Sequence, residues 1–468
     1  MLNVEGTLSS LVVGREKKKR MEERLTDGYR ITLFWSVLLI LGITITRVQG
    51  AQEVSGKWIN EGKPTAVTGP ADVATLQFVQ VLWRHGDRTA ASLIPTDKDN
   101  DEKTWPEGLG ELTTTGMAQQ LRLGQFLKKR YGELLGSKYD RNSAYIRSSD
   151  YNRTLMSAMA NLAGLFPPRD DEQFFNGLKW RPIPVHTVPK EEDVQLYEEI
   201  SCPTAEEERK RIYREFPRAL AIKKKNEGLF KYLENVTGMS PFGMDNIWKV
   251  YDPLFAQSCH NSSHHWPAWM NESLWKRIEE VYDDSSRFSF HTSLLRRLRG
   301  GPLVHEVLDR FTDKSNGGLD RMKMYAYSAH DTTLAAILAT FGIFPLRFPL
   351  YATAIMVEMH KRDGDYYIEL YHKNMTDSPD VYMHEVEGCP MPCRLKTLKE
   401  AMSPYAPVDW KGECGLGKEN ITRYIIAVTV LALTSVILFT FLVVDVYLKY
   451  RRREPQDGHR LLLTEDDS

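Results

Sequence analysis

Three times along this chain an apolar, strand-like run ends in a charged cluster that opens a helix. Thr75–Trp83 (TLQFVQVLW) runs into Arg84-His85-Gly86-Asp87-Arg88, followed by an amphipathic segment, Thr115–Tyr131, with Met117, Leu121, Gly124 and Leu127 on one face. Ser143–Ile146 leads into Arg147-Ser148-Ser149-Asp150 and a helix over Tyr151–Leu165, closed by Pro167-Pro168. Met322–Ser328 leads into Ala329-His330-Asp331 and a helix over Thr332–Thr340, stopped by Gly342. Strands alternating with helices predict an α/β fold with a largely parallel central sheet flanked by helices. In open sheets of that kind ligands sit beyond the carboxyl ends of the strands, where all three clusters lie. The stretch from about 184 to 299 reads differently. It is rich in Glu, Lys, Arg and Trp, with helices predicted at Ala205–Phe216, ended by Pro217, and at Leu274–Tyr282. It is expected to be a mostly helical subdomain inserted into a domain spanning 71–416.

The ends set the compartment. Ile31–Ile45 follows a basic run, Arg15 to Arg20, and is short for a span but suited to a signal peptide covering 1–50. Val48 and Gly50 suit a cut before Ala51; Met21 offers a second start, and an uncleaved anchor is the alternative. Tyr424–Val444 holds 21 residues without a formal charge, enough for a single C-terminal transmembrane helix. Lys449 and Arg451-Arg452-Arg453 beyond it put the tail, 445–468, in the cytosol. The chain is therefore expected to be a single-pass type I membrane protein with its domain in a lysosomal or endosomal lumen or at the cell surface. In the tail, Asp457, Leu461 and Leu462 resemble an acidic dileucine signal, which implies sorting adaptors as partners. With 61 Lys and Arg against 62 Asp and Glu, no global field favours nucleic acid.

Sequons at Asn235, Asn261, Asn271, Asn374 and Asn420 fit a lumenal domain. Asn152 also opens one, but it sits beside the second charged cluster, where a glycan would block access; it is expected to be bare. Cysteines can oxidise in such a compartment. Cys389 and Cys393 bracket two prolines and are expected to close a small loop; Cys202 and Cys414 pair over a long span, leaving Cys259 odd. Zinc is the weaker alternative, since no second CxxC accompanies the CxxxC. His260, His264 and His265 read as a solvated loop near the glycans, not a metal site.

Arg84-His85-Gly86-x-Arg88 sets one imidazole between two guanidiniums. Arginine forks onto phosphate oxygens and stays charged. Two neighbouring cations disfavour protonation of the histidine, and a neutral imidazole carries a nucleophilic lone pair. Gly86 lets the backbone approach the ring closely. His330 and Asp331 supply a further potential cation and a proton donor, and Arg147 another fork. Such convergence describes phosphoryl transfer without a metal, the arginines doing what magnesium does elsewhere.

These motifs resemble those of the histidine acid phosphatases, a branch of the phosphoglycerate-mutase-like superfamily. The likeness extends through RSSDYNRTLMSAMANLAGLFPP, WPEGLGELTTTGM, VYDPL, YSAHDTT and CPMPC, from about Thr75 to Cys414. It implies the fold of that superfamily and an acid phosphatase of phosphate monoesters, with no cofactor and no metal. It implies that His85 attacks phosphorus and becomes phosphohistidine. Arg84, Arg88, Arg147 and His330 would hold the phosphate oxygens, Asp331 would protonate the leaving alkoxide, and Trp248 would line the substrate pocket. An acid optimum and a possible homodimer are also implied. Two departures stand out: Ala90 occupies a position that is often proline, and Ala256 and Ala354 stand near where a third disulfide would fall. A narrower lysophosphatidate or inositol-polyphosphate phosphatase would need extra cations, for which Lys190, Lys223, Lys224 and Lys225 are candidates. A catalytically idle adhesion or receptor ectodomain is the alternative of another class; the intact catalytic positions argue against it.

Overall fold

The computed structural model describes residues 65–67, 71–197, 199–260, 264–343, 347–373, 380–416 and 418–451. The expected signal segment 1–50, Asn261, Asn374, the side chain of Asn420, and Asp457, Leu461 and Leu462 lie outside the described residues.

Seven strands form one sheet: β1 (Thr65–Val67), β2 (Leu76–Arg84), β3 (Ala144–Ser148), β4 (Met324–Ala329), β5 (Ala354–Arg362), β6 (Asp365–Lys373) and β7 (Val381–His384). Their order is β1-β7-β6-β5-β2-β4-β3. The expectation of a largely parallel sheet holds only for β2–β4–β3, the strands of the three strand–cluster–helix units. β2–β5, β5–β6, β6–β7 and β7–β1 are antiparallel, so the sheet is mixed. The cause is a hairpin signal: Asp363-Gly364 both take positive φ (50° and 85°), the two-residue turn that joins β5 directly to β6.

β2 shows why the sheet sits between layers. Phe78 and Leu82 face one side, Val79, Val81 and Trp83 the other, and all are buried. On the second side pack α1 (Thr114–Leu135) and α2 (Asn152–Leu165), through Leu123, Leu127, Tyr131 and Leu162. These two helices touch backbone to backbone. A Cβ on Gly124 would lie 1.9 Å from the Asn161 carbonyl oxygen, and one on Gly164 2.3 Å from that of Leu121.

Between α2 and the remaining sheet lie α3 (Pro203–Glu215), α4 (Pro217–Lys225), α5 (Glu227–Thr237), α6 (Trp248–Cys259) and α7 (Glu272–Phe288). They bury a core of their own around Ile212, Leu233, Leu254, Ile278 and Val281. The stretch at His186 belongs instead to the sheet edge, where its backbone pairs with Ile146 and Ser148. The helical region thus begins at Pro203, not 184. The other face of the sheet carries α8 (Gly301–Ser315), α9 (Asp331–Thr340) and α10 (Leu395–Met402), through Val307, Phe311, Leu334, Ile337 and Leu398.

Cys202–Cys414 and Cys389–Cys393 are disulfides, which leaves no thiolates for zinc, and Cys259 is unpaired. Cys202 and Cys414 are 212 residues apart, so their bridge removes about 5 kcal/mol of unfolded-chain entropy. The last helix, α11 (Lys418–Arg451), contains the 27-residue stretch Tyr424–Tyr450, in which an 18-residue window has mean hydropathy 2.6 and is not buried. At about 1.5 Å per residue these 27 residues exceed a hydrocarbon core of about 30 Å.

Candidate active site

β2, β4 and β3 end side by side, and the residues after them face a cavity of about 580 Å³. His85, one residue past β2, is buried, and its Nδ1 lies 2.8 Å from the Gly86 carbonyl oxygen. A carbonyl only accepts, so Nδ1 carries the hydrogen and Nε2 the lone pair. Burial, then the charges of Arg153, Arg84 and Arg88, hold this imidazole well below the usual histidine range, so it stays neutral in acid. Gly86 serves a closer approach than the sequence suggested: its Cβ would stand 2.3 Å from the Gly116 carbonyl oxygen in α1. Only glycine lets the loop rest on that helix.

Three guanidiniums surround the ring. Arg84, the last residue of β2, donates to Asp331 Oδ2 at 2.8 Å and to the Pro349 carbonyl at 2.7 Å, and lies over the Tyr351 ring at 4.4 Å. Arg88 donates to Asp252 Oδ1 at 2.5 Å, and Asp252 also accepts from Ala91 N at 2.8 Å. Arg153, in the first turn of α2, reaches His330 Nδ1 at 3.4 Å. That contact makes Nδ1 of His330 the acceptor, so its Nε2–H donates to Ser149 Oγ at 2.9 Å. The buried Nε–H groups of Arg84, Arg88 and Arg153 have no hydrogen-bond partner among the described residues. Asp331, at the N-terminus of α9, accepts from Thr332 N at 2.8 Å.

Arg147 does not join this group. It donates to Asp193 Oδ1 at 2.5 Å and Gln195 Oε1 at 3.3 Å, lies 3.6 Å from Glu306 of α8, and does not line the cavity. Arg153, not Arg147, is the arginine that stands beside His85 and His330 at the cavity. Alternation along β3 explains the difference. Ile146 faces α1 and α2, so Arg147 faces the α8 side, while Arg153 sits in the helical turn overlooking the strand ends. Asp252 was also missed, because nothing near it in sequence announces Arg88 as its partner.

Trp248 opens α6, is 45% exposed, and lines the cavity as expected by resemblance. The cavity is also lined by Glu199, Glu206 and Asp245 and by Arg209 and Arg299. Lys223, Lys224 and Lys225 are exposed at the end of α4 and do not line the cavity; Lys190 lies 3.7 Å over the Tyr151 ring. The histidine loop is not simply solvated: His264 is buried and stacked 3.7 Å from Trp105, and His260 bonds Asp87. Asn152 is exposed and donates to Glu111 Oε1 at 3.1 Å; Asn235 and Asn271 are exposed.

Residues 75–373 match the model of the histidine phosphatase superfamily (branch 2). The chain is 45% identical over 392 residues to "Putative acid phosphatase 5" of Caenorhabditis elegans, covering 83% of this chain and 91% of that one. It is 33% identical over 411 residues to the lysosomal acid phosphatase of Homo sapiens (87% and 95% covered). It is 37% identical over 346 residues to the human prostatic acid phosphatase (72% and 88% covered). Among solved structures, the phytase of Citrobacter braakii superposes with a TM-score of 0.55 at 16% identity, covering 73% of this chain and 99% of that chain, a likeness of fold.

Proposed function

Because the chain belongs to branch 2 of the histidine phosphatase superfamily, we propose that it is a membrane-anchored acid phosphatase that hydrolyses phosphate monoesters through a phosphohistidine. The observation that carries this reading is the set of three buried guanidiniums with unpaired Nε–H groups around a neutral imidazole whose Nε2 lone pair is free.

A monoester entering the cavity would give its non-bridging oxygens to Arg84, Arg88 and Arg153, with His330 accepting from Arg153 beside them. His85 Nε2 attacks phosphorus while the ester P–O bond breaks. Asp331 gives its proton to the departing oxygen, so the alcohol leaves neutral. Water then attacks the phosphohistidine, Asp331 takes back a proton, and inorganic phosphate leaves with His85 restored. Asp331 starts this cycle bound to Arg84. An arriving phosphate competes for that guanidinium. The buried His85 keeps its lone pair in acid. The apolar α11 supports anchoring, and the relatives named lysosomal support an acidic lumen.

The charge of the remaining lining favours a single phosphate. Three carboxylates, Glu199, Glu206 and Asp245, stand there against Arg209 and Arg299. A second phosphate of an inositol polyphosphate would meet that negative charge. The test is phosphate release by the full chain in detergent, with chelator present, on an aryl phosphate and on phytate across pH. Activity should peak in acid, favour the aryl ester, and fall at least about a thousandfold in His85→Ala. Alkaline quench of labelled substrate should trap phosphate on His85. A folded chain inert on every monoester would leave the idle-ectodomain reading in place.

A further inference from the structure

His260 bonds the loop that carries His85, although it is remote from it in sequence. Its Nε2 donates to Asp87 Oδ1 at 2.7 Å. Asp87 stands between Gly86 and Arg88; it is buried, and its Oδ1 also accepts from Thr113 Oγ1 at 2.6 Å. The Asp87 backbone is held as well, with N–H on Gln119 Oε1 at 2.8 Å and the carbonyl accepting from Thr113 N at 3.1 Å.

His260 directly follows α6, whose Asp252 grips Arg88 and Ala91. One helix therefore holds the loop at two places about two turns apart, Asp252 on one and His260 on the other. The intervening chain bears Arg88, and His85 lies two residues before Asp87. We propose that His260 is a positioning residue of the phosphatase, whose imidazolium clamps Asp87 and holds the His85–Arg88 loop in its productive geometry in acid.

Three features favour the imidazolium. A charge-assisted bond to a carboxylate is stronger than a neutral one. The carboxyl end of α6 favours a cation. The Asp87 bond lifts His260 above the usual histidine range against its desolvation, with a smaller contribution from Glu107. Groups that face it include Asp87 from the loop, Glu107 and Trp105 from the segment before α1, and His264 beyond it. His264 is stacked on Trp105 and held below the usual histidine range by burial and by His260 itself. Trp105 meets the His260 ring edge-on at 5.5 Å, which fixes its plane. As pH rises through the folded value of His260, the ion pair becomes a neutral hydrogen bond and the clamp loosens.

This inference rests on the proposed phosphatase reading, and its test separates the two. The first measurement compares kcat/KM on an aryl phosphate for wild type and His260→Gln, full chain in detergent, from pH 4.5 to 8. Wild type should exceed the variant about tenfold at pH 5, and the ratio should shrink toward unity by pH 8. A ratio constant across pH, or no loss at all, would overturn the role. The second measurement needs no variant and no activity: hydrogen exchange of the peptide spanning 84–91 in wild type, corrected for intrinsic rates. Its protection should rise several-fold from pH 7.5 to pH 5. Protection independent of pH would overturn the clamp even if His260→Gln failed to fold. Absence of any wild-type turnover would count against the phosphatase reading and leave the exchange result to decide the clamp.

Discussion

The sheet buries arginines in two places, and they end differently. In the antiparallel half, Arg130 of α1 donates to Glu358 Oε1 through Nε at 2.9 Å and Nη2 at 2.7 Å, joined there by the Tyr131 hydroxyl at 2.7 Å. Glu369 beside it accepts from Tyr371 at 2.6 Å and from Arg362 at 2.8 Å, and His360 lies 3.2 Å from Glu358 and 3.4 Å from Glu369. That trio of Glu358, His360 and Glu369 has the donor types of a metal site, but guanidiniums already supply the positive charge. At the ends of the parallel strands, Arg84, Arg88 and Arg153 keep a buried Nε–H without a partner, and two imidazoles are held neutral. A buried cation closed in by carboxylates and hydroxyls is architecture; several that converge on one cavity with donors left over make a place for a ligand.

Arg147 and Arg153 give the sharpest way to break this contrast: six residues apart, each keeps a buried Nε–H without a partner among the described residues, but Arg147 is held by Asp193 while Arg153 lines the cavity. Arg153→Ala should lower kcat/KM on an aryl phosphate by about a hundred- to a thousandfold, as loss of one transition-state donor does, with little change in denaturant midpoint. Arg147→Ala should leave the buried Asp193 carboxylate without its cation, Glu306 keeping Arg310, and cost about 3–5 kcal/mol of stability. The activity of its folded fraction should fall less than about tenfold. Reversed results in the same two assays would move the site back to Arg147.

Ligand linkage sharpens the comparison further. Inorganic phosphate at about a hundred times its Kd should stabilise the protein by about 2.7 kcal/mol, read as a rise in the unfolding midpoint. Arg153→Ala should remove most of that increment, whereas Glu358→Gln should lower the baseline and keep the increment. A phosphate increment that vanished with Glu358→Gln would join the two clusters into one site.

The smallest effect concerns the antiparallel edge. His372 Nδ1 and His384 Nε2 are 2.8 Å apart on β6 and β7, and burial holds each at about 4. Their unfolded value is higher, near 6.5, so the unfolded chain takes up protons first. The stability this pair contributes is present above pH 6.5 and is lost as pH falls toward 4. A His372→Gln, His384→Gln double variant should flatten the decline in melting temperature between pH 7 and 4.5. An unchanged slope would assign the decline to other groups, the buried His85 and His330 first among them.

Much of the site was legible because its chemistry is local. His85 sits between two arginines in five residues, and His330-Asp331 adjoin. What could not be read was pairing across the fold. Whether Arg147 or Arg153 is available depends on Asp193, Gln195 and Glu306, none of them near in sequence. The same holds for Asp252 on Arg88 and for His260 on Asp87, two contacts made by one helix of the inserted region. The parallel strands were recognisable from their helices. The antiparallel ones were not, although Asp363-Gly364 carried a hairpin signal within reach.

The Cys202–Cys414 bridge closes just before the apolar helix that begins at Lys418. In topological terms, the chain from Cys202 to Cys414 is a covalent ring with the helix attached at its clasp. A protease that nicks the ring anywhere leaves both pieces joined through sulfur, and the catalytic loop stays tethered. Release of the whole domain from that helix takes a cut in the few residues beyond Cys414; a nick in the ring together with a reductant breaks the covalent link only for the part before the nick.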